Sequence, residues 1–119
     1  MLRSPRDLHV AVDEIYRRWR GGFRVLAVVS AFEGVTDDLM GEVAVTVGSG
    51  CPEAMAAYVA TGEMRTAALL RGVLSQYGLP ARIVEPRELA LKAEGTSLES
   101  APAAVNRAKL FKLWNSHAI

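Results

Sequence analysis

The first apolar pattern along the chain is helical. Its apolar residues recur at intervals of four, three and four positions and so share one helix face: Leu8, Val12, Ile15 and Trp19. Ser4, Pro5 and Asp7 stand directly before this pattern. Serine is favoured as an N-cap, proline at the first helical position, and an acidic residue in the first turn. The pattern therefore predicts a helix that begins near Pro5 and ends at the glycine pair Gly21 and Gly22.

Two short, continuous apolar runs interrupt the helical patterns. They are "FRVLAVVS" at 23–30 and "ARIVEP" at 81–86, and both are rich in β-branched residues. Uninterrupted apolar runs of this length are typical of strands that are buried on both faces inside a parallel sheet. The sequence therefore predicts one strand in each run.

The remaining segments are mostly helical in pattern. Helices are predicted from Thr36, from Pro52 through "PEAMAAYVA", over "TGEMRTAALLRGVLSQYGLP" at 61–80, and over "RAKLFKLWNSH" at 107–117. Residues 86–95 predict a short helix or turn, and 96–106 a loop. Helices alternating with apolar strands indicate a helix-rich α/β protein with a mainly parallel sheet. Two strands are too few for a self-sufficient parallel sheet, so the pattern is that of the interior of a larger domain.

Composition and charge narrow the class of protein. Half of the 119 residues are hydrophobic, and the net charge is +1, which gives no electrostatic reason to expect nucleic acid or a membrane surface as a partner. The single cysteine, Cys51, cannot form a disulfide within the chain. We expect a cytoplasmic protein.

Several short motifs occur together in one order. They are Val29-Ser30-Ala31, then Gly34-Val35-Thr36-Asp37, then Thr61-Gly62-Glu63, and finally Gly78, Pro80 and Ala81. In this combination the chain resembles the amino-acid kinase family, and within it the aspartokinases, most closely the kinase-like portion joined to homoserine dehydrogenases in some bacteria. The resemblance covers about residues 2–119 and implies a partial three-layer αβα sandwich.

The resemblance also implies a function. Aspartokinases transfer a phosphoryl group from ATP to the side-chain carboxylate of aspartate, in the biosynthesis of lysine, threonine and methionine. Carried over by motif, the substrate-binding residues are Ser30, Ala31, Thr36 and Glu63. By the same resemblance the cofactors are ATP and Mg²⁺, and aspartate or a similar amino acid is the small-molecule partner. No residue is assigned a catalytic or metal-binding role.

Two family motifs do not occur in these residues. The family begins with Lys-Phe-Gly-Gly, whose lysine neutralises phosphate charge, and continues into Gly-Arg-Gly-Gly-Ser-Asp and a nucleotide-binding half. We therefore interpret 1–119 as a single, incomplete domain that holds the amino-acid substrate and is inactive alone. Unpaired sheet edges favour a homo-oligomer or a complementing chain. The alternatives are a non-catalytic amino-acid-binding or regulatory module, and a structural remnant that serves only for association.

Simpler interpretations of the same residues remain open at this point. Ser30 and Thr36 are also good caps for the helix that follows them. Glu63 is also a suitable acidic residue for the first turn of a helix. The "GSG" at 48–50 lacks the lysine of a phosphate-binding loop and does not follow a strand, so we predict an ordinary loop there.

Overall fold

The computed structural model describes residues 2–95, 100–117 and 119. These residues contain four α-helices, two short strands and two 3₁₀ turns. In chain order the helices and strands are α1 (Leu8–Arg20), α2 (Val35–Thr46), α3 (Pro52–Gln76), β1 (Lys92–Gly95), β2 (Ser100–Ala104) and α4 (Arg107–Ser116). The 3₁₀ turns span Pro5–Asp7 and Gly48–Gly50.

The prediction for the first helix is confirmed. A 3₁₀ turn over Pro5–Asp7 leads into α1, and the carboxylate of Asp7 accepts hydrogen bonds from the backbone N–H of Arg3 at 2.8 Å and of Ser4 at 2.9 Å. These bonds, that from Ser4 first, lower the pKa of Asp7. The predicted apolar face of α1 is the buried one, since Leu8, Val12 and Ile15 all lie in the core.

Helix α3 is longer than the sequence predicts. Two helices were expected, one from Pro52 and another from Thr61, but a single helix runs through both. The hydroxyl of Thr61 donates to the carbonyl of Tyr58 at 2.6 Å, within the same helix, rather than capping a new one. Helix α3 packs against both α1 and α2. The main core lies along this contact and consists of Leu8, Val12, Ile15, Phe32, Leu70, Leu74 and Leu79.

The predicted parallel αβα sandwich is wrong. The only sheet among the described residues is the antiparallel pair β1–β2, in which Lys92 lies opposite Ala104 and the register shifts next to Ala93. It forms in the segment for which a turn and a loop were predicted. The described residues are otherwise mostly helical, so this part of the chain is helix-rich and contains no parallel sheet.

The two apolar runs predicted as strands are extended segments without strand hydrogen bonds. In the first run, residues 24–31 form no backbone hydrogen bond with another described residue. In the second run, the N–H of Arg82 donates to the carbonyl of Ile119 at 3.0 Å, which is a single bond and not a strand ladder. A helix satisfies its backbone groups internally, whereas a strand needs a neighbour alongside it. No described segment takes that position beside 24–31, so the apolar run stays extended but unpaired.

The extended segment 23–30 nevertheless has two distinct faces. Val25 and Val29 pack against the core, whereas Leu26 and Val28 on the other face are 48% and 88% exposed. A strand with a period of two would place Ala27 on the inner face as well, but the small side chain of Ala27 is exposed. The segment is therefore anchored to the core through Val25 and Val29 and leaves the apolar side chains of Leu26 and Val28 in solvent.

The molecule is flat and exposes a large surface. Its extents are 48 × 33 × 18 Å and its Cα radius of gyration is 15.9 Å, whereas a compact chain of this length has a radius of about 13–14 Å. The exposed area is 8351 Å², against about 6300 Å² expected of a compact monomer of this mass. The excess arises because the shortest dimension has room for only two layers.

No helix in the described part of the chain combines the length and the apolar character needed to cross a lipid bilayer. The longest, α3, carries charged residues along its length, including Glu63, Arg65 and Arg71.

Candidate functional site

The loop between the extended segment and α2 is held at both ends. Phe32 is buried in the core, and its carbonyl accepts a hydrogen bond from the N–H of Val35 at 3.1 Å. Gly34, between them, has φ = +81°, a left-handed conformation that costs other residues about 1–2 kcal/mol. The turn sends the chain directly into α2, so Ser30 and Thr36 lie on either side of one short, anchored loop.

Helix α3 approaches this loop most closely at Gly62. Gly62 is buried, and a Cβ atom placed on it would lie only 3.2 Å from Cβ of Ala31 and 3.1 Å from side-chain carbons of Val35 and Leu39. Only glycine lets the helix backbone come this near without moving its neighbours. The contact joins the loop, the start of α2 and the middle of α3 at one place.

This contact determines where the sequence-predicted residues lie. Ala31 is half-buried and takes part in the contact itself. The other three residues are exposed and directly follow or precede a contacting residue: Ser30 precedes Ala31, Thr36 follows Val35, and Glu63 follows Gly62. The structure thus brings the segments that carry all four residues together. Residues more than 30 positions apart in the sequence become neighbours because α3 packs across the loop.

The capping interpretations of the two hydroxyl residues are wrong. The N-cap of α2 is Gly34, and Thr36 lies inside the helix as its second residue. Within the described parts of the chain, the hydroxyls of Ser30 and Thr36 form no hydrogen bond. Both groups therefore remain available to a ligand.

The helix-start interpretation of Glu63 is also wrong. Glu63 lies near the middle of the continuous helix α3, far from the first turn where the helix dipole favours an acidic residue. Its carboxylate is exposed and forms no ion pair with another described residue. A local structural role does not account for this side chain.

Acidic residues occur on both helices that meet at the loop. Asp37 and Asp38 occupy the first turn of α2, and Glu63 adds a third carboxylate from α3. Hydroxyl groups at Ser30 and Thr36 are able to donate to a carboxylate. An amino acid presents both groups, so the residue types suit a zwitterion.

The described residues do not fit the phosphates of ATP. The lysines of the chain are Lys92 on β1 and Lys109 and Lys112 on α4, all outside the loop and α3. The "GSG" at 48–50 forms a 3₁₀ turn between two helices rather than a phosphate-binding loop after a strand. Three potential metal ligands do not occur together anywhere in the described ranges. The described residues around the loop therefore present no lysine or metal-ligand cluster for the phosphates of ATP.

A second feature escaped the sequence analysis. Tyr58 on α3 donates a hydrogen bond to Glu42 on α2 at 2.6 Å, and this bond, with the nearby negative charge, raises the pKa of Tyr58. The pair lines an open, mostly apolar groove of about 640 Å³ between the two helices. No short sequence spacing signals it, because the two residues meet only when α2 folds back on α3.

Comparisons with protein-family models, with characterised proteins and with solved structures find no match to this chain. The aspartokinase resemblance accordingly rests on the residues quoted above.

Proposed function

We propose that this chain binds aspartate as the substrate-holding part of an aspartokinase-like phosphotransferase. The observation that carries the proposal is the close approach of α3 to the loop at Gly62. Three of the motifs on which the resemblance rests, at 29–31, 34–37 and 61–63, meet at this one contact. The packing contact at Gly62 does not itself require the exposed polar side chains of Ser30, Thr36 and Glu63 beside it.

Each residue has a distinct proposed role. The carboxylate of Glu63 pairs with the α-ammonium group of the amino acid, and the hydroxyls of Ser30 and Thr36 donate to its carboxylates. Ala31 packs on Gly62 and fixes the position of the loop, with Ser30 next to it. Together these groups orient the substrate, which is most of what phosphoryl transfer asks of a protein.

Phosphoryl transfer itself needs groups from elsewhere. The phosphate-binding lysine motif does not occur in these 119 residues, and the loss of a single charge-stabilising group costs about 10²-fold or more in rate. ATP and Mg²⁺ would therefore be bound by a complementing chain or segment. The second candidate function is an amino-acid-binding module that has the same site but no complementing chain and no catalysis. The positions of the lysines, which lie on β1 and α4 rather than at the loop, favour this candidate.

Calorimetric titration with L-aspartate tests the binding step. We expect binding by the intact chain, about tenfold or more weaker after Glu63→Gln because a charge-assisted hydrogen bond is lost. Glu53→Gln is the matched control, since Glu53 is exposed on the same helix about 15 Å away. Succinate, which lacks the ammonium group, should not bind.

The outcomes are separable. Equal aspartate affinities of the wild type and Glu63→Gln, or no affinity in either, would refute the proposal. Binding without ATP-dependent formation of aspartyl hydroxamate, even with a complementing chain present, would select the non-catalytic module. Turnover by the isolated chain would show that it holds a nucleotide site after all.

A further inference from the structure

The extended segment 23–30 has unpaired backbone groups and exposed apolar side chains, and one kind of partner would pair the first and cover the second. Its backbone groups from Arg24 to Ala31 form no backbone hydrogen bonds among the described residues, Val25 and Val29 pack on the core, and Leu26 and Val28 are exposed. Hydrogen-bonding groups along an extended backbone are matched by another extended backbone. The partner is therefore a β-strand.

The sequence of the segment indicates which strand. We propose that a second copy of this chain pairs with it, segment 23–30 against segment 23–30 in antiparallel orientation. The two-fold register is centred on Ala27, which lies opposite Ala27 of the second copy. Val25 then lies opposite Val29, so the faces that touch the two cores are on the same side of the pair.

The outer face and the charges agree with this register. Leu26 lies opposite Val28 of the second copy, so the four exposed apolar side chains form one cluster. Arg24, the one charged residue of the segment, lies opposite Ser30 rather than another arginine. Like charges directly opposite each other destabilise a strand pair, and this register avoids them.

The exposed area is sufficient for such a contact. The chain exposes 8351 Å², about 2000 Å² more than a compact monomer of its mass. A stable interface buries about 800 Å² on each partner. Pairing of the segments, with contact between the adjoining apolar surfaces, stays within that excess.

Sedimentation of the intact chain over a range of concentrations tests the proposal. We expect a concentration-dependent dimer, at least tenfold weaker in Val28→Lys, which places a charge in the outer cluster. The variant should keep the wild-type circular dichroism spectrum, because Val28 is 88% exposed. Val45→Lys on α2 is the matched control, since Val45 is 91% exposed and far outside the segment, and it should dimerise like the wild type.

Cysteine cross-linking tests the register independently. In a Cys51→Ser background, Ala27→Cys should form a disulfide-linked dimer, since opposite Cα atoms in an antiparallel pair are about 4.5–5.5 Å apart. Val28→Cys should not, because the offset of two residues separates its Cα atoms by about 8 Å.

A monomer at all concentrations, including one that instead binds an added strand peptide, would overturn the proposal. So would a dimer broken by Val45→Lys but not by Val28→Lys, or cross-linking at Val28 instead of Ala27. The inference does not depend on aspartate. Sedimentation of Glu63→Gln separates the two proposals, because Glu63 lies on α3 outside the segment and loss of aspartate affinity should leave the dimer unchanged.

Discussion

Helices α1 and α3 and the extended segment 23–30 are all apolar, but they use their apolar residues differently. The helices bury one apolar face in a shared core, where Leu8 is 1% and Leu74 is 2% exposed, although other apolar residues such as Val10 at 71% stay exposed. The segment directs Val25 and Val29 to that core and leaves Leu26 and Val28 exposed. A helix needs a partner for one face only, whereas a strand needs partners on its edges as well. The difference lies in the backbone: the helices pair their own N–H and C=O groups, whereas those of Arg24 to Ala31 have no backbone partner among the described residues.

Truncation of core and outer apolar residues should give the largest difference. Leu74→Ala removes a side chain that is 2% exposed and should lower the free energy of unfolding by about 2–5 kcal/mol. Val28→Ala should change it by no more than about 0.5 kcal/mol in the monomer. Urea denaturation at low protein concentration measures both. Similar losses in the two variants would mean that the segment is as fully packed as the helices.

Replacing glycines of α3 by alanine should change the stability by an intermediate amount, with a loss at Gly62 and a gain at Gly72. Gly62→Ala forces a Cβ to 3.1–3.2 Å from three side chains, and overpacking of this kind costs about 1–3 kcal/mol, more than the gain of about 1 kcal/mol in helix propensity. Gly72→Ala meets nothing within 4 Å on the same helix and should stabilise by up to about 1 kcal/mol. Thermal unfolding distinguishes them.

The same pair sharpens the proposal for the site. Because Gly62 contacts Ala31 directly, Gly62→Ala should also weaken aspartate binding, whereas Gly72→Ala should not. Gain of stability at both positions would show that α3 does not lie tightly on the loop.

The smallest effect should come from pH. The hydrogen bond to Glu42 raises the pKa of Tyr58, so the folded state holds this proton more tightly than the unfolded state. The stabilisation is complete below the ordinary tyrosine pKa of about 10 and is lost as the pH rises through the higher folded value. Tyr58→Phe should flatten this alkaline decline. Chemical denaturation between neutral and alkaline pH, compared with Tyr16→Phe, measures it.

Local signals predicted the helices well. The cap residues before α1 and its buried stripe are correct, and α4 has Leu110, Leu113 and Trp114 on its half-buried side as expected. The predicted break at Thr61 was wrong, since one helix runs from Pro52 to Gln76 and Gly62 inside it serves a tertiary contact. The β1–β2 pair was missed because Lys92–Gly95 has no apolar alternation and is exposed throughout.

Nonlocal pairing limited the rest of the prediction. The run 23–30 has the composition of a strand and lies extended, but strand pairing depends on what lies beside it, which composition does not specify. For the site, the residues were chosen through the resemblance to the aspartokinases. The segments that carry them meet at one helix-to-loop contact that no spacing in the sequence reveals.

The thinness of the molecule has a calorimetric consequence. Unfolding raises the heat capacity in proportion to the apolar area it newly wets, about 12–15 cal/mol/K per residue for ordinary domains. Because the folded molecule is only 18 Å thick, much of its apolar area is already exposed to solvent before it unfolds. The monomer should therefore melt over a wide temperature range with a heat-capacity increment below the usual one, and association should restore part of the difference.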